Sequence, residues 1–392
     1  MAELSTRRSH YHILGVGSIG TLLAYHLAKK GHKVTLIFKR PSKTQDFIAN
    51  GNKIGLVESY KLKTLASLAS QEVKSSSTLL NVKYQNGYKS LTSNFSNESS
   101  LFLKTPDYSS IEKAPDIQKG EQNNEDLIQK LIITTKAHQT LEAIDCVSSK
   151  LSSTPTFIFI QNGMGIVNEV SDFFVSKHKS INPFYVLGTT THGAMPTKFP
   201  FVYNHTGFGS TFISYYPLKK KDSDLCTDSV GNPYLGCIND LINLDLSILN
   251  IPHEELYEKL LIKLSVSAVL NPITALMQCK NGDVYIKAKD IDPDLFTNMC
   301  KEISEIYRLA HNGKQYTWSS SENIQKNILN VANLTQNNYS SMCMDLLNGN
   351  STEIDYINGY LVNLAKRYNI DSKFNTMMYN QIKNYKAKIK TV

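Results

Sequence analysis

Residues 11–40 read YHILGVGSIGTLLAYHLAKKGHKVTLIFKR, and they set three glycines at Gly15, Gly17 and Gly20. The apolar run YHIL is a strand, TLLAYHLAKKG has the period of an amphipathic helix, and KVTLIF is a second strand. A G-x-G-x-x-G turn in that setting has a physical use for each glycine. Gly15 permits the tight turn, Gly17 lets the backbone approach a pyrophosphate, and Gly20 lets the helix pack closely. The helix start adds N–H groups and a partial positive charge. Gly15, Val16, Gly17, Ser18, Ile19 and Gly20 are therefore candidate cofactor-binding residues; a turn with no ligand is the alternative.

The far end of the same stretch narrows the ligand. A site for an unphosphorylated ribose places Asp or Glu ~20 residues past the glycines. This chain has LIFKRP there, with Lys39 and Arg40 and no carboxylate. Two cations favour a 2′-phosphate, hence NADP(H), over an ordinary basic loop.

Working outward, residues 61–126 are rich in Ser, Asn and Lys, with weak periodicity. They predict a little strand structure followed by a surface insertion, partly disordered over 90–124. Order returns with LIITT (131–135), FIFIQ, FYVLGTTTHGAMP and GSTFISYYP, all read as strands. The alternation predicts a parallel α/β sheet with room for added antiparallel strands. From Pro252 the patterning turns helical, with helices expected at 253–270, 294–311, 321–336, 352–368 and 375–388. The expected fold is an α/β Rossmann-like dinucleotide-binding domain, residues 1–250, followed by an all-α domain, residues 251–392.

Composition excludes several classes. The chain has 392 residues, a length for two domains, and 41 % are hydrophobic, enough for sizeable cores. No run of ~18 apolar residues predicts a membrane span. The start MAELSTRRSH lacks the apolar segment of a secretory signal, so the cytoplasm is expected rather than the mitochondrion. The six cysteines, Cys146, Cys226, Cys237, Cys279, Cys300 and Cys343, form no metal-ligand spacing, so reduced thiols and no metal are expected. The formal charge of +8 is dispersed apart from Lys219–Lys221 and the tail KNYKAKIK. Without aromatic interleaving this suits small anionic ligands better than nucleic acid.

Several polar residues stand where α/β sheets bind ligands, beyond strand carboxyl ends. Lys136 follows LIITT, and Asn162 follows FIFIQ. A solvated helix-start lysine is one reading of Lys136, but a lysine beside a helix N-terminus is electrostatically misplaced, and contact with a cofactor or substrate anion would explain it. Asn162-Gly163 is alternatively a simple turn, and His138, His192 and His205 read as structural or surface residues. Lys263, Ser267 and Asn271 recur every fourth residue, on one helix face, among apolar neighbours. A lysine at an apolar cleft has a depressed pKa and can deliver a proton; a snorkelling lysine is the alternative. Pro272 is expected to bend the helix just after Asn271. Ser340 and Ser341 are candidates for a carboxylate. Glu353 is either functional or the end of a capping box, Asn350-x-x-Glu353.

With the glycine turn, TTKAHQ, QNGMG, GTTTHGA, KLSVSAVLNPITAL, CKNG, and SSM followed by TEIDYINGY, the chain resembles the ketopantoate reductase family. The resemblance implies a Rossmann domain followed by a helical domain, with the active site in the cleft between them. It implies NADPH-dependent reduction of ketopantoate, a small anionic 2-keto acid, to pantoate on the way to pantothenate and coenzyme A. Lys263 then matches the general acid. Asn271 and Asn281 would hold substrate, with Asn338, Ser340 and Ser341 at its carboxylate and hydroxyl end. Lys136, Asn162, Ala194 and Glu353 match positions near the nicotinamide, and Glu353 also serves to orient substrate. A monomer or homodimer is expected, with no nucleic-acid or membrane partner.

The chain departs from the pattern at Ser267, where the family has a substrate-binding asparagine. Serine cannot offer both an amide donor and a carbonyl. Two alternatives therefore stay open: a reductase of another small keto acid or ketone, and a non-catalytic binding protein that retains the reductase fold.

Overall fold

The computed structural model describes residues 8–60, 100–102, 127–217 and 233–385. The described elements through the first two-thirds of the chain are β1 (His10–Leu14), α1 (Ser18–Lys29), β2 (Lys33–Ile37), α2 (Pro41–Ala49), β3 (Lys53–Val57), β4 (Ser100–Phe102), β5 (Ile128–Ile133), α3 (Thr140–Val147), β6 (Leu151–Phe159), α4 (Ile166–Lys177), β7 (Phe184–Thr190), β8 (Gly193–Pro196), β9 (Val202–Gly207), β10 (Thr211–Tyr215), α5 (Pro233–Ile242) and β11 (Ile248–Asn250). Helices follow: α6 (His253–Met277), α7 (Val284–Ile291), α8 (Leu295–Ala310), α9 (Ser321–Leu334), α10 (Ser341–Leu347), α11 (Asn358–Arg367) and α12 (Lys373–Lys383). These residues fall into two compact units. One is drawn from Met1–Thr135, Gln139–Gln161 and Phe173–His253, the other from Lys136–His138, Asn162–Asp172 and Glu254–Val392.

The first unit is built on a seven-stranded sheet of order β11-β10-β7-β6-β5-β1-β2. Strands β2, β1, β5, β6 and β7 are parallel, and β10 lies antiparallel to β7. Ile13, Leu131, Ile132, Phe157 and Val186 are fully buried, the unbroken apolar pattern of strands covered on both faces. Leu14 is in register with both Ile37 and Ile133. The chain leaves β1 toward β2 and returns on its other side as β5. The carboxyl ends of β1 and β5 thus form the switch point of an open α/β sheet, where ligands bind in this fold class.

A second sheet, of order β4-β3-β9-β8, completes this unit. The segment FYVLGTTTHGAMP divides between the two sheets, as β7 and β8. His192, between them, holds the join. Its Nε2 lies 2.8 Å from the Leu246 carbonyl, which can only accept, so the proton is on Nε2. Its Nδ1 then accepts from the Gly209 N–H at 3.1 Å and pairs with His205 Nε2 at 3.0 Å. Both histidines are buried structural residues.

The second unit is a helical core in which α6 contributes Leu264, Ala268 and Ile273, and α8 contributes Phe296, Met299 and Ile303. By length and composition α6 is the one helix among the described residues that could span a membrane, with mean hydropathy 1.7 over 18 residues. That window is 67 % buried within the structure, and its apolar side chains are core. Instead of stopping near 270, α6 continues through Pro272 to Met277. The expected helix at 352–368 begins only at Asn358, after a 3-10 turn over Ile354–Tyr356. Helices α2, α4, α5, α7 and α10 have no counterpart in the expectation from sequence. Of the insertion expected over 90–124, only β4 is described; the rest lies outside the described residues, as do Lys219–Lys221, Cys226 and the tail beyond Tyr385.

Candidate active site

The glycine turn is held by packing at two of its three glycines and open at the third. Gly15 has φ +102°, and a Cβ there would lie 2.9 Å from Thr135 Cα and still closer to the peptide before it. A Cβ at Gly20 would meet the Gly15 carbonyl and, at 2.6 Å, Thr134 Oγ1. Thr134 Oγ1 itself donates to the Gly15 carbonyl at 2.6 Å, locking the turn to the end of β5. A Cβ at Gly17 would meet nothing within 4 Å.

Gly17 is the N-cap of α1, has no capping side chain, and is followed by no acidic residue in the first turn. The helical hydrogen bonding starts with Thr21 N–H to the Gly17 carbonyl at 2.9 Å. The N–H groups of Ser18, Ile19 and Gly20 therefore precede the ladder, at the positive end of the helix. An open backbone with uncapped donors fits a dinucleotide pyrophosphate. Lys39 and Arg40 are exposed just past β2, Arg40 being the N-cap of α2. Lys39 lies 3.9 Å from Glu142, a loose exposed pair that a phosphate can displace. Ala194 lies in β8, paired with His205 of β9.

In the second unit, Lys136, Lys263, Asp345 and Glu353 form one electrostatic cluster. Lys136 Nζ donates to Asp345 Oδ2 in an ion pair. The anion facing Lys136 is thus a carboxylate of the chain itself, 209 residues away, where the sequence alone suggested a cofactor or substrate anion. Glu353 is 9 % exposed, and its Oε1 accepts from the Ala137 N–H at 3.0 Å. This replaces the capping box read from Asn350-x-x-Glu353: the carboxylate reaches away from its own turn, because Ala137 brings it a buried donor. Burial raises the Glu353 carboxyl above its usual range, opposed by the Ala137 N–H, Lys136 and Lys263. Burial likewise raises Asp345, opposed by Lys136. Lys263 moves the other way: burial lowers its pKa to about 8, and the charge of Glu353 resists the fall.

Lys263, Ser267 and Asn271 are half-buried along one face of α6, flanked by buried Leu264, Ala268 and Leu270. Asn281 is buried; its N–H donates to the Asn338 carbonyl at 2.9 Å and its Nδ2 to Thr335 Oγ1 at 2.9 Å. Its Oδ1 has no hydrogen-bond partner among the described residues, a buried acceptor suited to a ligand hydroxyl. Ser340 is the N-cap of α10; its oxygen accepts from the Cys343 N–H at 3.1 Å and lies 2.8 Å from Thr274 Oγ1, whose own proton faces the Leu270 carbonyl at 2.8 Å. The Ser340 O–H is thus the proton available to the Thr274 contact, while Ser341 and Asn338 are exposed. Asn162 is the second residue of the segment QNGMG, whose Gly163 has φ +85° and whose Met164 N–H donates to the Tyr356 carbonyl at 2.9 Å. A Cβ on Gly163 would lie 2.6 Å from Tyr356 Cβ, so the segment is pinned beside the turn that carries Glu353. Asp345, the Ala137 N–H and Asn358, described below, were missed from sequence. Only Lys136, a cation without a visible anion, pointed to the first.

An open α/β sheet with a glycine turn at its switch point, followed by a helical unit with a half-buried lysine near a buried glutamate, defines a two-part nucleotide-binding oxidoreductase architecture. The chain belongs to the ketopantoate reductase family: residues 11–217 match the model described as "Ketopantoate reductase PanE/ApbA", and residues 255–386 match its C-terminal counterpart. It is 31 % identical over 276 residues to 2-dehydropantoate 2-reductase of Vibrio cholerae serotype O1, covering 69 % of this chain and 83 % of that one. It is 26 % identical over 390 residues to 2-dehydropantoate 2-reductase of Saccharomyces cerevisiae, covering 93 % and 90 %. Among solved structures, that of D-mandelate dehydrogenase with NADH and anilino(oxo)acetate shares the fold at TM-score 0.65 and 16 % identity, over 95 % of this chain and 97 % of that one.

Proposed function

We propose that this protein reduces ketopantoate to pantoate with NADPH, on the route to pantothenate and coenzyme A. The observation that carries the reading is the half-buried Lys263, its pKa lowered to about 8 and coupled to the buried carboxylate of Glu353. Residues 1–250 then act as the NADP-binding domain and 251–392 as the substrate-binding domain. The turn from Gly15 to Gly20 would hold the pyrophosphate, and Lys39 and Arg40 the 2′-phosphate. Family resemblance puts Lys136, Asn162, Ala194 and Glu353 toward the nicotinamide.

Bound NADPH would supply the hydride. Lys263, as the ammonium, stabilises negative charge growing on the substrate oxygen and gives that oxygen its proton. Glu353 keeps the ammonium populated near neutral pH. Ser267 and Asn271, on the Lys263 face, orient the keto acid. The Asn281 Oδ1 accepts from a substrate hydroxyl, and Asn338, Ser340 and Ser341 take the carboxylate and hydroxyl end. The chain is proposed to work as a monomer or homodimer in the cytoplasm.

NADPH oxidation with ketopantoate and a panel of 2-keto acids tests the reading. Turnover with ketopantoate that Lys263→Ala abolishes is the expected result. No turnover with any keto acid, or turnover indifferent to Lys263→Ala, overturns it. Ser267 favours one second reading, a reductase of another small 2-keto acid, since the shorter side chain enlarges the space and removes an amide from the substrate face. That reading predicts a higher kcat/KM for a different member of the same panel.

A further inference from the structure

Pro272 has no N–H, so the carbonyl of Ala268, one turn earlier in α6, loses the donor that the helix would otherwise give it four residues on. Ala268 is 0 % exposed, and a buried carbonyl left bare is costly. Asn358, at the start of α11 and also 0 % exposed, donates its Nδ2 to this carbonyl at 2.9 Å. The amide orientation follows from its neighbours. A carbonyl only accepts, so the nitrogen must face Ala268; the same nitrogen lies 3.3 Å from Asn375 Oδ1. Asn375 is turned by Glu302, whose Oε2 accepts from Asn375 Nδ2 at 2.8 Å. Glu302 also accepts the N–H groups of Phe374 and Asn375, at 2.8 and 2.9 Å, in the first turn of α12. Glu302 thus orients Asn375, Asn375 orients Asn358, and Asn358 fills the gap that Pro272 opens.

The gap lies within the Lys263–Ser267–Asn271 stretch, and Asn358 follows directly on the turn that Glu353 begins. We propose that Asn358 is a positioning residue: its amide replaces the donor Pro272 lacks and so holds the substrate face of α6 in register with the Glu353 segment. Built on the proposed function, this adds to it a reason for the proline. A helix held by a side chain instead of its own backbone takes its orientation from the segment that carries the carboxylate. The segments that carry Lys263 and Glu353 are then tied to each other by this hydrogen bond instead of being two independent elements.

The test is a double-mutant cycle of Asn358→Ala and Pro272→Ala in the full chain. Asn358→Ala is expected to lower kcat/KM for ketopantoate by about 10- to 100-fold while NADPH affinity changes by less than about twofold. Loss of register weakens the support Glu353 gives Lys263, so the alkaline limb of the kcat–pH profile moves to lower pH. Pro272→Ala restores the backbone donor; in that background Asn358→Ala is expected to cost less than about threefold. If Asn358→Ala fails to fold, recovery of folding in the double variant is the same result. Equal costs in both backgrounds, an unmoved pH limb, or a double variant as damaged as the single, would reduce Asn358 to packing and overturn the proposal. If the wild-type protein turns over no keto acid, the functional reading falls by itself. The cycle is then read in melting temperature and in the Lys263 titration followed by NMR, with the same non-additivity and the same acid-ward shift required.

Discussion

Lys263 shows how one side chain takes its chemistry from its surroundings. On a solvated helix a lysine is an ammonium far past neutral pH and a poor acid. Burial lowers the pKa to about 8, and Glu353 keeps it from falling further. With the ammonium as the proposed acid, kcat is expected to be level below that value and to fall as pH rises through it; a flat profile to pH 10 would contradict the assignment. Lys263→Ala is expected to cost about 10²–10⁴-fold in kcat. Glu353→Gln removes the opposing charge and moves the alkaline limb toward lower pH, which pH-dependent NADPH oxidation reads directly. Ser267→Asn adds an amide donor and acceptor to the substrate face, and a lower KM for ketopantoate, by about tenfold, is expected. An unchanged KM would mean that Ser267 does not touch substrate.

At the scale of the element, the glycine turn separates structure from binding. Gly15 and Gly20 face Thr134 and Thr135 so closely that a methyl group displaces the end of β5, whereas Gly17 faces open space. Gly15→Ala and Gly20→Ala are therefore expected to lower the melting temperature. Gly17→Ala is expected to leave it unchanged and to weaken NADPH binding, since the added methyl stands where a pyrophosphate would approach. Melting curves and a fluorescence titration separate the outcomes; a Gly17→Ala protein with full affinity would rule out the pyrophosphate at this turn. The strand–turn–helix unit was legible because its signals are local: an apolar run, spaced glycines, a 3.6-residue period. The capping box at Glu353 misled for the same reason. A local pattern proposed a local partner, and a buried N–H distant in sequence offered a better one.

Across the whole molecule, burial of neutral histidines couples stability to pH. His12 and His26 in the first unit are each 2 % exposed. Burial lowers their pKa values to about 3 and about 4, helped at His12 by His10 and Lys33 and at His26 by Lys29. The unfolded chain binds these protons near pH 6.5 and the folded chain does not, so stability is complete above that value. It is lost as pH falls toward 4 and 3, by about 3 kcal/mol at most for His26. Melting temperature is thus expected to drop between pH 7 and pH 4, and less steeply in His12→Gln and His26→Gln. An equal slope in both variants would place the acid sensitivity elsewhere, with the raised carboxyl groups of Asp345 and Glu353 excluded by their opposite sign.

By itself, the amino-acid sequence determined the class of fold, the glycine turn, the cations past β2 and the face of α6 that carries Lys263. All of these follow from spacing within one or two turns or strands, where the chain's own periodicity is the physical signal. Only the tertiary structure decided that Lys136 meets Asp345, that Glu353 binds the Ala137 N–H, and that Asn358 completes the helix at Pro272. Each of these joins residues far apart in sequence. Each arises because a buried charge or bare carbonyl must find a partner wherever the fold supplies one.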